Sequence, residues 1–177
     1  MNRSELAREI DATCRLRGTF TVRSGQVVSE YFDKYLFEAR PVLLRQVAQA
    51  MVPLLPPDTE ALGGLELGGV PIATMVSSLT ELPARFVRKE AKTYGTCRLA
   101  EGGDVAGTRI TLIEDVITTG GAVRNATVAL RELGATVEVV VCAIDRSGAG
   151  AAGPLTDLGI ETRAVLTKAD LDGAAQS

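Results

Sequence analysis

Between positions 110 and 121 the chain sets an apolar run, Ile110-Thr111-Leu112-Ile113, directly before two carboxylates, Glu114 and Asp115. Val116-Ile117-Thr118-Thr119-Gly120-Gly121-Ala122 follows. A glycine turn that opens a helix presents free backbone N–H groups and the positive end of the helix dipole, which together make an anion site. The adjacent Thr118 and Thr119 add hydroxyl donors. Carboxylates repel phosphate, so the acidic pair needs a different partner: sugar hydroxyls, a divalent cation, or positive charge developing on a ribose ring. The segment therefore suits a ligand with phosphate at one end and a hydroxylated or cationic centre beside it. A ribose 5-phosphate unit has that shape. The chain has no GxxxxGK[ST], and the glycine spacing is not GxGxxG, so neither the nucleotide P-loop nor the dinucleotide fingerprint applies. A plain strand-to-helix turn would leave the acidic pair unexplained.

Two other places carry candidate chemistry. Arg88, Lys89 and Lys92 fall within five positions, ahead of Thr93-Tyr94-Gly95. Most such runs are solvated turns, but these cations could also meet a polyanion. Asp145-Arg146 closes the β-branched run that follows the acidic segment. A guanidinium there could clamp a planar carboxylate through two hydrogen bonds. The plain alternative is a surface ion pair with Asp145.

The absence of histidine excludes Ser–His–Asp and Cys–His catalysis and histidine-based metal sites. The three cysteines, Cys14, Cys97 and Cys142, are widely spaced and read as free thiols. A net charge of −3 gives no general affinity for nucleic acid. No stretch is long and apolar enough to span a bilayer. The first residues lack the apolar run of a signal peptide, and the cytoplasm is the expected compartment.

The elements that must position these residues follow from periodicity. A helix is expected over residues 4–17 with Ser4 as a cap, then a small hairpin over 20–29 turning at Ser24-Gly25. Residues 41–55 read as a helix begun by Pro41 and stopped by Pro56-Pro57. A helix over 71–79, a strand over 83–88 and a loop over 90–107 come next. Then follow a buried strand over 109–114, a helix over 121–133 ending at Gly134, and a strand over 136–144. A helix over 151–158 and a strand over 161–166 complete the pattern. Alternating apolar strands and amphipathic helices make this an α/β chain with a mainly parallel central sheet covered on both faces. The 177 residues fit one domain with a full core.

Ile110-Thr-Leu-Ile-Glu-Asp-Val-Ile-Thr-Thr-Gly-Gly-Ala122 closely resembles the phosphoribosyl pyrophosphate (PRPP) signature of type I phosphoribosyltransferases. The segment around Arg88-Lys89-Glu-Ala-Lys92 resembles the mobile catalytic loop of the orotate phosphoribosyltransferases, which reaches into the partner subunit's site. Phe20-Thr-Val-Arg23-Ser-Gly25, with Tyr31-Phe32-Asp33-Lys34 after it, resembles their N-terminal hairpin, and 64–69 resembles their pyrophosphate loop. The resemblance runs from about Phe20 to Leu166.

It implies a type I phosphoribosyltransferase fold. The elements of about 1–37 form a small N-terminal hood, and about 38–177 form the core of a single domain. It implies PRPP contacts at Glu66, Leu67, Gly68, Arg88, Lys89, Lys92, Tyr94, Glu114, Asp115, Val116, Ile117, Thr118, Thr119, Gly120, Gly121 and Ala122. Orotate contacts are implied at Thr118, Arg146 and Arg23, and catalytic work at Arg88, Lys89, Lys92 and Asp115. Also implied are Mg²⁺ carried mainly by PRPP rather than by protein ligands, an unusual peptide, such as a non-proline cis bond, in the pyrophosphate loop, and a homodimer with the 88–104 loop acting across the interface. Two departures are visible. Some members carry lysine where Gly68 aligns, and some carry histidine at Tyr94. Rival readings are a phosphoribosyltransferase for another base, or a non-catalytic regulator of the same fold.

Overall fold

The computed structural model describes residues 1–22, 24–90, 99–148 and 155–175. The expected fold class is found. A six-stranded sheet has the order β5 (Ala100–Glu101), β4 (Ala84–Val87), β3 (Ala61–Leu65), β6 (Ile110–Ile117), β7 (Val139–Asp145), β8 (Glu161–Thr167), parallel except for the short edge strand β5, and a separate hairpin pairs β1 (Arg15–Thr21) with β2 (Val27–Phe32).

Helix α1 spans Arg3–Cys14. Its cap is Asn2 rather than Ser4: Asn2 Oδ1 accepts the Glu5 N–H, and Glu5 Oε2 accepts the Asn2 N–H, both at 2.9 Å. The helix stops before the expected residue 17. Arg15, Leu16 and Arg17 instead pair with Phe32, Tyr31 and Glu30, so strand β1 (Arg15–Thr21) begins where α1 ends. Strand β2 (Val27–Phe32) returns after a turn in which Gly25 has a φ of 82° and donates its N–H to Val22 O. Arg23 lies outside the described residues. Beyond the hairpin comes an unexpected four-residue helix, α2 (Tyr35–Glu38).

Helix α3 covers Pro41–Met51 and tightens to a 3-10 turn over Val52–Leu54. Pro53, not Pro56-Pro57, ends the α-helix, because its ring has no N–H to donate and blocks the preceding turn. Strand β3 (Ala61–Leu65) has all five residues buried, as a central parallel strand requires. Its Gly64 lets helix α4 (Gly69–Thr80) lie close on the sheet: a Cβ at Gly64 would stand 2.7 Å from Ala73 Cβ.

Strands β4 (Ala84–Val87) and β5 (Ala100–Glu101) flank residues 91–98, which lie outside the described set. Strand β6 covers Ile110–Ile117, helix α5 Gly121–Glu132 and strand β7 Val139–Asp145. Gly134 closes α5 with a φ of 86°. Thr136 makes only an isolated bridge to Arg109. Of the helix expected over 151–158, the described part is a 3-10 turn, Thr156–Leu158. Strand β8 (Glu161–Thr167) leads into α6 (Lys168–Ala174), whose capping box of Thr167 and Asp170 was present in the sequence but not anticipated.

Two cores result, one on each face of the sheet. Along β7 the side chains alternate: Val141 and Ala143 join the core of α1, α3 and α4, while Val140 and Cys142 join that of α5.

Candidate active site

Both carboxylates sit inside β6, whereas the expected strand ends at Glu114. Glu114 pairs with Cys142, and Ile117 with Asp145, so β7 holds the strand three residues beyond its expected end. The chain then turns through Thr118 and Thr119, both exposed, to Gly120, whose φ of 74° caps α5. Gly120 O accepts the Arg124 N–H at 2.9 Å, which starts the helix and leaves the amides of its first turn without helical partners. These open donors stand at the carboxyl end of the central strand, where ligands bind in open α/β sheets.

Asp115 is fully buried. Its Oδ1 accepts the Val116 N–H at 2.5 Å, and its Oδ2 lies 2.5 Å from Lys34 Nζ. Glu114 Oε1 accepts the Asp115 N–H at 3.0 Å. Glu38, one turn along α2 from Lys34, also bears on Asp115 and is buried. Three carboxyls and one ammonium thus converge. Burial, and then Asp115, push Glu38 up to about 8 and Glu114 up to about 9. Burial also works against an ionised Asp115, but hydrogen bonding to Glu114 and Lys34 outweighs it and holds Asp115 below the usual carboxylate range. The negative charge of the cluster therefore favours Asp115, and burial beside it favours the protonated forms of Glu38 and Glu114. Glu38 Oε1 is buried without a hydrogen-bond partner among the described groups.

The Glu66–Leu67 peptide is cis, at the loop between β3 and α4. Glu66 Oε2 accepts the Lys89 N–H at 3.0 Å, and its own N–H donates to Val87 O. This ties the loop to the start of the basic segment. Arg88 N–H donates to Leu99 O, while its Nε is buried without an acceptor among the described residues. A cleft of about 420 Å³ lies here, lined by Glu66, Arg88, Lys89, Ala122 and Asn125. Asn125 was not anticipated; it follows from helical spacing one turn after Gly121. Lys92 and Tyr94 lie outside the described residues.

The Arg146 N–H donates to Ile117 O at 2.8 Å, fixing the end of β7 beside Thr118. Its guanidinium stacks 5.2 Å from the Phe32 ring centre. Asp145 is spent on the Ser147 N–H, and no described carboxylate pairs with Arg146, which disfavours the surface ion-pair reading. The strands therefore bring the phosphate turn, the acidic pair, the 66–68 loop and Arg146 to one edge of the sheet.

No protein-family model matches the chain. The orotate phosphoribosyltransferase of Nocardioides sp. (strain ATCC BAA-499 / JS614) is 71% identical over 172 residues, 97% of this chain and 96% of that protein. The chain belongs to the orotate phosphoribosyltransferase family. Among solved structures, the orotate phosphoribosyltransferase of Mycobacterium tuberculosis H37Rv with Fe(III) dicitrate is 30% identical, with a TM-score of 0.83 and coverage of 96% and 98%. The same enzyme solved with 5-phospho-α-D-ribosyl 1-diphosphate gives 0.79 at 30% identity, with the same coverage. Orotate phosphoribosyltransferase membership agrees with the family resemblance drawn from the 110–122 and 88–94 segments. Lys34 and Glu38, like Asn125, were assigned no role by the sequence. Lys34 was visible only as part of the hairpin-like segment, and Glu38 had no signal.

Proposed function

We propose that the chain transfers the phosphoribosyl group of PRPP to orotate, giving orotidine 5′-monophosphate and pyrophosphate in UMP synthesis. The observation that carries this reading is the placement of Arg146, free of carboxylate partners among the described residues, beside a phosphate turn that follows a buried acid pair. A planar ring with a carboxylate fits the guanidinium, and a ribose 5-phosphate fits the turn and the acids.

In this reading the first-turn amides of α5, with Thr118 and Thr119, hold the 5′-phosphate. Asp115 accepts from a ribose hydroxyl, and protonated Glu114 donates to one. The negative charge on Asp115 favours oxocarbenium character at the ribose as pyrophosphate leaves. Arg88 and Lys89, with Lys92, meet the departing charge, and no protein nucleophile is needed. Arg146, Thr118 and Arg23 hold orotate.

Mg²⁺ belongs to the same proposal, and when bound it neutralises pyrophosphate charge. Glu114 and Asp115 offer the oxygen donors that Mg²⁺ prefers. Each is already engaged, however, Asp115 by Lys34 and Glu114 by the Asp115 amide. Among the described residues no set of three carboxylates or thiolates is arranged to hold a metal. Substrate oxygens are therefore the fitting source of most of its shell. The working assembly in this reading is a homodimer in which the 88–104 loop serves the neighbouring site, and the compartment is the cytoplasm.

The test is pyrophosphate release from PRPP and Mg²⁺ across a panel of bases. Release only with orotate supports the assignment. Equal or faster release with a purine or uracil would replace orotate, and binding without turnover would favour a regulator.

A further inference from the structure

The loop between β3 and α4 brings no positive charge of its own. It consists of Glu66, Leu67 and Gly68, and the Glu66 carboxylate is turned onto the Lys89 amide. Gly68 has no room for a side chain, since a Cβ there would stand 1.7 Å from Asp115 Oδ2 and 2.8 Å from Glu38 Oε1. The cation at this point comes from the hood. Lys34, at the start of α2, reaches the Asp115 oxygen that lies against Gly68. Its side chain is 33% exposed while that of Asp115 is 0% exposed, so Lys34 lies over the carboxylate and a ligand reaches Asp115 only as Lys34 moves off it.

We propose that Lys34 is a pyrophosphate-binding residue that Asp115 holds in the free site and releases when ribose hydroxyls take over the carboxylate. The inference rests on the reading of the site as one for PRPP. A buried carboxylate is costly without a partner. In the free protein Lys34 is that partner. Ribose hydroxyls can satisfy the same oxygens, which frees a compact cation with three donors on a flexible stem. The groups facing Lys34 are Asp115 and Glu114 from β6, Glu38 and Tyr35 from its own segment, with the Tyr35 ring centre 5.3 Å away. Burial opposes the charged ammonium, but the hydrogen bond and charge of Asp115, with smaller help from Glu114 and Tyr35, outweigh it. The 66–68 loop thereby acquires a cation that the neighbouring hood element supplies.

Calorimetric titration of wild type and Lys34→Met with PRPP, with ribose 5-phosphate, and with pyrophosphate in the presence of saturating ribose 5-phosphate separates the roles. Loss of one charge-assisted contact should weaken pyrophosphate and PRPP about tenfold and leave ribose 5-phosphate within about threefold. Equal losses for all three ligands would make Lys34 a structural counter-ion of Asp115 and overturn the inference. Unchanged pyrophosphate affinity would also overturn it. A wild-type protein that binds none of the three would instead remove the PRPP reading on which it stands. If Lys34→Met does not fold, acetic anhydride labelling of the wild type decides: PRPP must protect Lys34, and ribose 5-phosphate alone must make it more reactive than in the free protein. Lack of protection by PRPP, or unchanged labelling with ribose 5-phosphate, would refute the proposal.

Discussion

Asp115 is the residue on which most of the site's charge depends, and its neighbours set a pH dependence. Glu38 and Glu114 hold protons more tightly in the fold, pushed to about 8 and about 9, than their ordinary value of 4.5. A raised carboxyl contributes stability that is complete below its unfolded value and is lost as pH rises through the folded one. The free protein should therefore lose thermal stability between pH 5 and about 9. Glu38→Gln, which keeps the shape and stays neutral, should show a visibly smaller loss in melting scans at pH 5, 7 and 9. An identical pH profile in both proteins would mean that Glu38 is ionised in the fold. At the opposite side of the site, Arg146→Ala should weaken orotate by about 10- to 100-fold, the worth of a charge-assisted bidentate contact. PRPP affinity should change by less than about threefold, because the two ligand ends are held by different elements. Comparable losses for both ligands would dismiss the carboxylate clamp.

Among the elements, β6 and α4 set the geometry of the acidic pair. Strand β6 carries Glu114 and Asp115 because pairing with β7 continues to Ile117. Helix α4 sits close enough to place Gly68 against Asp115 because Gly64 presents no side chain to the helix and Gly69 presents none to the sheet. An added methyl at Gly64 would meet Ala73 Cβ at 2.7 Å and Gly69 O at 2.8 Å. Gly64→Ala should therefore cost about 1–3 kcal/mol through overpacking, read as a lower urea midpoint at unchanged slope. An unaltered midpoint would show that α4 can shift outward without penalty. The boundary of α1 teaches a related point. Local periodicity continues past Cys14, but the ladder to β2 takes Arg15 to Arg17 and ends the helix.

For the whole molecule, the proposed dimer makes a prediction that no single chain can. If Lys92 acts in the neighbouring site, Lys92→Ala and Asp115→Asn chains should each be nearly inactive alone. Mixed under subunit exchange, they should recover about a quarter of wild-type activity, since half of the random dimers carry one intact site. No recovery, with exchange confirmed by mass, would place the loop in its own chain's site.

The sequence by itself determined the α/β class, the phosphate turn, the acidic pair and the family resemblance, because these are local patterns: an apolar strand, two carboxylates, a glycine turn and a helix. It also pointed to Arg146, since the end of the next strand must reach the same sheet edge. Only the tertiary structure decided what Asp115 meets. Lys34 and Glu38 lie far from it along the chain and gather on it because the hood packs under the 66–68 loop. Such a long-range charge cluster leaves no periodic trace, whereas the turn that binds phosphate is written in consecutive residues.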